Sequence, residues 1–249
     1  MTRSQAPIPL ARLTVVELRK LADTRAGLWL LVLIGLGAVG TAAILLGWAP
    51  DEELTFANFF AFGLAPSAVL LPVLGILSMT SEWSQRTALT TFALVPGRLR
   101  VVVAKLAAGV LIALATTAAT LLLTAAANLL GAALGGDGGW HVEGSLIWQG
   151  VLMEVVFVVM GMAFGAVLLN SPLAIVVFFA LPTLWSVLRE SIHALGRVSR
   201  WLDLGVTSSP LSEPSMTSGE YARLAVSCLI WVALPLVLGS WRILRREVS

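Results

Sequence analysis

The chain has 249 residues, of which 58% are hydrophobic and only 12% are charged, whereas an ordinary soluble domain has about 25% charged residues. This composition excludes a soluble fold, because such a fold cannot bury that much apolar surface. The net charge of +2 is too small to indicate a nucleic-acid-binding surface. We therefore predict a protein whose solvent is the lipid bilayer and which has no nucleic-acid partner.

The apolar runs are long and rich in Ala and Leu, which favours helices over the alternating segments of about ten residues found in membrane barrels. The single cysteine, Cys228, and the distant His141 and His193 exclude a disulfide framework or a Cys/His metal cluster built from this chain alone. The first apolar run follows about 25 residues with charges throughout, which is unlike a cleavable signal peptide. The sequence predicts an all-α membrane protein with one transmembrane domain over residues 1–249.

The predicted elements begin with residues 8–25, where apolar and charged positions alternate as in an amphipathic helix lying in the membrane interface. An ordinary charged cytosolic tail is the alternative. Six apolar segments follow, and we predict that each crosses the membrane: 26–49, 58–80, 101–133, 146–169, 172–188 and 222–241. The third is longer than a span requires, so we expect it to be tilted, kinked or extended beyond the membrane.

The basic residues predict the orientation of these spans. Five Lys and Arg residues lie in the N-terminal tail, four in 81–105 and three in the C-terminal tail, whereas 50–57 and 134–145 have none. The positive-inside rule then places both termini in the cytoplasm of a multi-pass cell-membrane protein. The four arginines of residues 189–223 disagree, because they fall on the predicted outer side. The outer loop, 189–221, either forms short helices that dip into the outer leaflet or is exposed to solvent.

The chain lacks the GxxxxGK[ST] phosphate loop, GxSxG and HExxH, so we predict that it is not an enzyme and that a partner supplies any energy. Its one recognisable constellation is SEWSQRTALTTFALVPGRLRVVVAKL, residues 81–106. Ser81 or Ser84 can cap a short helix that Pro96 and Gly97 would end. A basic loop that only orients the spans is the alternative interpretation.

This run resembles the signature of the type-2 ABC-transporter permeases. In that family an acidic residue ends the second span, a short helix follows, and a Pro-x-Arg segment leads into a third span that opens with a lysine. The matching positions are Glu82, Arg86, Thr87, Pro96, Arg98 and Lys105. The C-terminal Arg245, Arg246, Glu247 and Val248 also fit the family, and the six-span layout is similar over the full length.

The resemblance implies a partner and a mechanism. Residues 81–100 would contain a coupling helix that sits in a groove of a separate ATP-binding subunit. The residues expected to couple to that subunit are Glu82, Arg86, Thr87, Leu89, Phe92, Pro96 and Arg98. The complex would contain two such subunits, with ATP and Mg bound there and no cofactor in this chain, and a second permease that is identical or homologous. It would export a hydrophobic or amphipathic substrate such as a drug, antibiotic, peptide or lipid.

Glu154 lies inside the fourth predicted span, where a charge near the bilayer centre costs about 2.5–3.5 kcal/mol on insertion scales. It either lines a substrate path, with Gln149, Met153 and Phe157, or protonates during transport. Otherwise it lies near the outer headgroups or against a polar group of a partner. Two further function classes thus stay open: an ion-coupled secondary transporter that uses Glu154, and a non-transporting immunity or scaffold protein.

Overall fold

The computed structural model describes residues 8–85, 87, 89, 97–141, 143–192, 196–213 and 215–245, and the regular structure within these ranges is entirely helical. The helices are α1 (Leu10–Asp23), α2 (Arg25–Trp48), α3 (Phe56–Ser84), α4 (Arg98–Ala133), α5 (Gly144–Leu168), α6 (Ser171–Ser191), α7 (Gly196–Leu202), α8 (Leu204–Ser208), α9 (Ser218–Cys228) and α10 (Leu234–Arg245). A π-helical turn, Leu229–Ala233, joins α9 and α10 into one long helix.

Six helices are long and apolar enough to cross a membrane, and they confirm the predicted six-span, all-α architecture. They are Arg25–Trp48, Phe56–Ser84, Arg98–Ala133, Gly144–Leu168, Ser171–Arg189 and Ser218–Arg245. The third has 36 residues and is therefore about 54 Å long at 1.5 Å per residue. Since hydrocarbon is about 30 Å thick, this helix is longer than a single upright crossing requires.

The amphipathic N-terminal segment forms α1, which packs against α4. Its buried residues Thr14, Glu17 and Leu21 are spaced three and four apart and so share one helical face. The chain turns sharply at Thr24, whose hydroxyl accepts a hydrogen bond from the amide of Gly27 and caps α2. A Cβ atom on Gly27 would lie 1.7 Å from the carbonyl oxygen of Leu21, so this junction requires glycine. Whether α1 lies in a membrane interface stays a prediction.

The centre of the bundle is the contact between α3 and α5, with α4 packed beside both. Glycines let the two helices approach closely, since Cβ atoms on Gly75 and Gly161 would lie 2.6 Å and 2.2 Å from carbonyl oxygens of the facing helix. Gly165 meets Ile76 in the same way. The Gly161/Gly165 spacing is the small-xxx-small pattern that allows membrane helices to pack backbone to backbone.

Both ends of the described chain lie at one end of the bundle, which we call the α1 end. Arg98, at the start of α4, donates to the carbonyl oxygen of Ile243 in the last helix at 3.0 Å. Arg100 donates to the carbonyl oxygen of Ile8, just before α1. An even number of crossings produces this arrangement. The side of the membrane on which the α1 end lies stays a prediction.

At the opposite end, residues 196–213 and 215–217 form what we call the distal segment, which folds back along the last long helix. The indole nitrogen of Trp231 donates to the carbonyl oxygen of Leu202 at 2.6 Å, and Thr207 hydrogen-bonds Ser227. Trp231 lies thirteen residues beyond Ser218, which is about 20 Å along the helix. Leu204 and Leu211 are buried in a cluster with residues of the spans. The segment therefore forms short packed helices, and whether they dip into a leaflet stays a prediction.

Candidate functional site

A cluster of four charged side chains lies at the α1 end, and we call it the ion cluster: Glu17, Lys20, Glu82 and Lys105. The Lys105 ammonium lies 2.7 Å from Glu17 Oε2 and 3.2 Å from Glu82 Oε1, and it donates to the carbonyl oxygen of Ser78 at 3.0 Å. The Lys20 ammonium lies 2.7 Å from Glu17 Oε1 and 2.9 Å from Glu82 Oε1. Each carboxylate thus bridges both lysines, and the cluster joins α1, the end of α3 and the start of α4.

Burial makes these contacts energetically important. Glu17 and Glu82 are each 6% exposed and Lys105 is 4% exposed, whereas the Lys20 side chain is 42% exposed. Buried charges are tolerated only when each is paired and hydrogen-bonded, and here two carboxylates balance two ammonium groups. The ion cluster therefore fixes how three helices sit against one another.

Lys20 is the member of the ion cluster that also faces solvent. Partial burial alone would lower the pKa of its ammonium, but the hydrogen bonds and negative charges of Glu17 and Glu82 outweigh burial and raise the pKa above its ordinary value of 10.5. Because the folded-state pKa is raised, the stabilisation from Lys20 is fully present below pH 10.5 and is lost only as the pH rises through the raised value. Lys20 is therefore a cation throughout the physiological range.

A cavity of about 450 Å³ opens beside the ion cluster. Its walls come from α1, the start of α2, the end of α3 and the start of α6. Polar lining residues include Lys20, Ser78 and Ser171, and apolar ones include Leu21 and Leu74. The cavity is therefore amphipathic, with charged and hydroxyl groups near a wall of leucine.

The predicted coupling segment leads away from this cluster. Glu82 is buried against Lys20 and Lys105, whereas Thr87 is exposed and Leu89 is 52% exposed. Arg98 points to the last helix, through the carbonyl oxygen of Ile243. Arg86, Phe92 and Pro96 lie outside the described residues. The predicted contacts with an ATP-binding subunit stay predictions for all seven residues.

Glu154 lies in the α3–α5 contact and is completely buried. Its Oε1 is 2.7 Å from the hydroxyl of Ser67, which also lies 2.9 Å from the carbonyl oxygen of Leu64. Its Oε2 has no hydrogen-bond partner among the residues that the structure describes. The sequence identified this buried acid, but Ser67 is 87 positions away in the chain and no local pattern indicates the pair.

The other residues of the predicted substrate path have different surroundings. Gln149 is completely buried. In the amide orientation that satisfies both ends of the side chain, its nitrogen donates to the carbonyl oxygens of Ser145 at 3.2 Å and Glu213 at 2.9 Å, and its oxygen accepts from the Met216 amide at 3.2 Å. Gln149 thus fastens the distal segment to α5. Met153 and Phe157 pack against the hydrophobic cluster that contains Phe164 and Phe178. Whether these side chains and Glu154 line a substrate path stays a prediction.

We expect a double-mutant cycle to report the energy of the Ser67–Glu154 contact. Ser67→Ala should lower the free energy of unfolding by about 1 kcal/mol, because it leaves a buried carboxyl without its hydrogen bond. In a Glu154→Leu background the same change should have almost no effect, because no carboxyl is left to satisfy. Denaturation in mixed micelles measures both values. Equal losses in the two backgrounds would show that the hydroxyl acts only through the Leu64 carbonyl.

Among the described residues, no group of three or more His, Cys, Asp and Glu side chains is arranged to hold a metal ion. The ion cluster and its cavity are the principal candidate site, because they combine buried charges with an open cavity, and Glu154 is a second one. In comparisons with known proteins, no protein-family model, curated protein or solved structure matches the chain.

Proposed function

We propose that the chain is the membrane-spanning permease subunit of an ATP-driven exporter of the ABC type. One observation carries the proposal: Glu82 and Lys105, which begin and end the signature-like run, are only 3.2 Å apart in a buried ion cluster. Signature residues that hold two spans and α1 together are suited to receive a force from a cytoplasmic partner. Two ATP-binding subunits and a second permease copy, identical or homologous, complete the proposed complex.

The ion cluster suggests how that force reaches the spans. Thr87 and Leu89 are exposed, so closure of the ATP-binding subunits would act on the segment just after Glu82. Separating buried, paired charges is expensive, so α1, α3 and α4 would move as one body instead of sliding past each other. Tight backbone contacts between α3 and α5 would carry the motion to the distal segment, which Gln149 ties to α5.

In this proposal the α1 end is cytoplasmic, α1 lies in the interface of the cell membrane, and the distal segment is outside. The twelve basic residues assigned to the cytoplasmic side support this orientation. The substrate would be hydrophobic or amphipathic, because the six long helices are strongly apolar in composition. Nucleotide and Mg would bind in the partner, since the chain lacks a phosphate loop.

We predict that single cysteines at Thr87 or Leu89, in a Cys228→Ser background, crosslink to the ATP-binding subunit in the intact complex. Both side chains are exposed at the α1 end, where the coupling segment begins. A cysteine at Ser218, which is exposed at the opposite end, is the matched control and should give no crosslink. It should instead react with a membrane-impermeant thiol reagent on intact cells. Crosslinking from Ser218 and not from Thr87 or Leu89 would reverse the orientation and defeat the proposal.

Glu154 favours a second candidate, an ion-coupled secondary transporter. A completely buried carboxyl with one oxygen unpartnered in the described part of the chain is the kind of group that exchanges a proton or a cation in membrane transporters. Transport by the chain alone in proteoliposomes, driven by a proton gradient and lost in Glu154→Gln, would establish this candidate. Transport that needs ATP and a separate ATP-binding subunit would exclude it.

A further inference from the structure

The cavity beside the ion cluster contains hydrogen-bond donors that the protein leaves unused. Lys20 gives two of its three ammonium hydrogens to Glu17 and Glu82, and the third has no acceptor among the described residues. Ser78, which also lines the cavity, is 5% exposed, and its hydroxyl has no partner in the described part of the chain. Lys20 is 42% exposed, so solvent reaches its third hydrogen, but a buried hydroxyl without a partner costs about 1–3 kcal/mol. Ser78 therefore favours a ligand that supplies an acceptor oxygen.

Two helix N-termini face the same cavity. Thr24 and Gly27, at the start of α2, line it, and so does Ser171, the first residue of α6. Side-chain caps already bond one amide in the first turn of each helix, but the partial positive charge at the start of a helix still favours an anion. Glu17 and Glu82 also line the cavity, but lysine ammonium groups within 3.2 Å neutralise both carboxylates. The four charges of the ion cluster therefore cancel, and the partial positive charge of the two helix N-termini favours a negatively charged ligand.

The remaining wall is apolar and comes from Leu21, Leu74 and Leu77. The volume of about 450 Å³ lies within the range of about 300–1,000 Å³ typical of small-molecule sites. A free inorganic anion would leave most of this space and the leucine wall without contacts. A ligand with an anionic head and a hydrocarbon chain would use both parts.

We infer that this cavity binds an anionic phospholipid from the leaflet at the α1 end. Its phosphate lies between Lys20, Ser78 and the two helix N-termini, and part of an acyl chain lies along Leu74 and Leu77. The lipid adds acceptors to donors that the protein does not satisfy, so it strengthens the attachment of α1 to the bundle. This inference does not depend on the chain being an ABC permease.

Native mass spectrometry of the purified full-length protein tests the inference, with phosphatidylglycerol and phosphatidylcholine as probes. We expect phosphatidylglycerol to bind more tightly, and Lys20→Gln to weaken its binding about tenfold, since a hydrogen bond to a charged group is lost. Lys20→Arg should restore most of the affinity, because it keeps the charge. Arg19→Gln is the matched control, since Arg19 is the exposed neighbour of Lys20 on α1, and its binding should stay within about twofold of the parent.

Ser78→Ala provides an independent variant if Lys20→Gln does not fold, and it should weaken phosphatidylglycerol binding about threefold to tenfold. Equal binding of the two lipids, unaffected by Lys20→Gln or Ser78→Ala, would overturn the inference, because it indicates ordinary annular lipid. Inorganic phosphate that binds with the same dependence on Lys20, while phosphatidylglycerol does not, would also overturn it and identify the cavity as a site for a free anion. Binding that depends on Lys20, on Ser78 and on the negative charge of the lipid supports the inference.

Discussion

Lys105→Met is expected to lower the free energy of unfolding by about 3–5 kcal/mol, the loss typical when one member of a buried ion pair is removed. Lys105 is 4% exposed and its ammonium contacts both Glu17 and Glu82. Methionine keeps most of the volume but removes one of the two ammonium groups that the buried carboxylates share. The carbonyl oxygen of Ser78 loses its side-chain donor as well.

The measurement is unfolding of the purified protein in mixed micelles, followed by far-UV circular dichroism. Arg19→Met is the matched control: it also removes one positive charge but from an exposed position on α1, so its effect should stay below about 1 kcal/mol. The double variant Glu17→Gln/Lys105→Met should be more stable than Lys105→Met alone, because it removes the excess negative charge that the single variant leaves in the ion cluster. A loss no larger than that of Arg19→Met would mean that the ion cluster does not hold the helices together.

In the proposed complex, Lys105→Met also distinguishes a loss of folded protein from a loss of coupling between ATP hydrolysis and transport. If the ion cluster passes motion from the coupling segment to α1, α3 and α4, Lys105→Met should reduce transport more than it reduces ATP hydrolysis. An equal reduction of both rates would indicate that the complex has only lost folded protein.

The spans were predictable because the bilayer imposes a length and a composition that hydropathy detects directly. The helix bounds differ by a few residues from the predicted ones. Hydropathy marks only the apolar residues suited to the hydrocarbon, whereas backbone hydrogen bonds extend the helix into the polar residues that flank them. The last span illustrates this. Its helix begins at Ser218 instead of residue 222, because Thr217 and Glu220 form a capping box in polar sequence.

The candidate site was only partly predictable, since its contacts join distant parts of the chain. Glu82 and Lys105 were identified through the family resemblance, whereas Glu17 and Lys20 were assigned only to an amphipathic helix. Lys105 and Glu17 are 88 positions apart, and no periodicity reports such a pairing. One signal was present: Glu17 shares a helical face with Leu21, and a charge on an apolar face indicates a buried partner. The role of Gln149 had no local signal, because it contacts the backbone of the distal segment.

Gly161→Ala is expected to destabilise the protein by about 1–3 kcal/mol, the cost of overpacking a close contact. A Cβ atom at Gly161 would lie 2.2 Å from the carbonyl oxygen of Pro72 and 2.8 Å from its Cα and carbonyl carbon. These are backbone atoms of α3, so no side chain can rotate away, and only a separation of α3 from α5 makes room. That separation would also disturb the Ser67–Glu154 hydrogen bond and the buried cluster that contains Leu71 and Val158.

Gly40→Ala is the matched control, because its added Cβ meets nothing within 4 Å in the described part of the chain and it lies in the middle of α2. Alanine has the higher helix propensity, so this variant should be unchanged or slightly more stable, and unfolding in mixed micelles compares the two. If Gly161→Ala were as stable as Gly40→Ala, α3 and α5 would have to be far enough apart to accept a Cβ atom at residue 161, which contradicts the close contact between these helices. In the proposed complex, the α3–α5 contact lies between the coupling segment and the distal segment. Gly161→Ala complexes that still fold should therefore hydrolyse ATP but transport substrate more slowly than Gly40→Ala complexes.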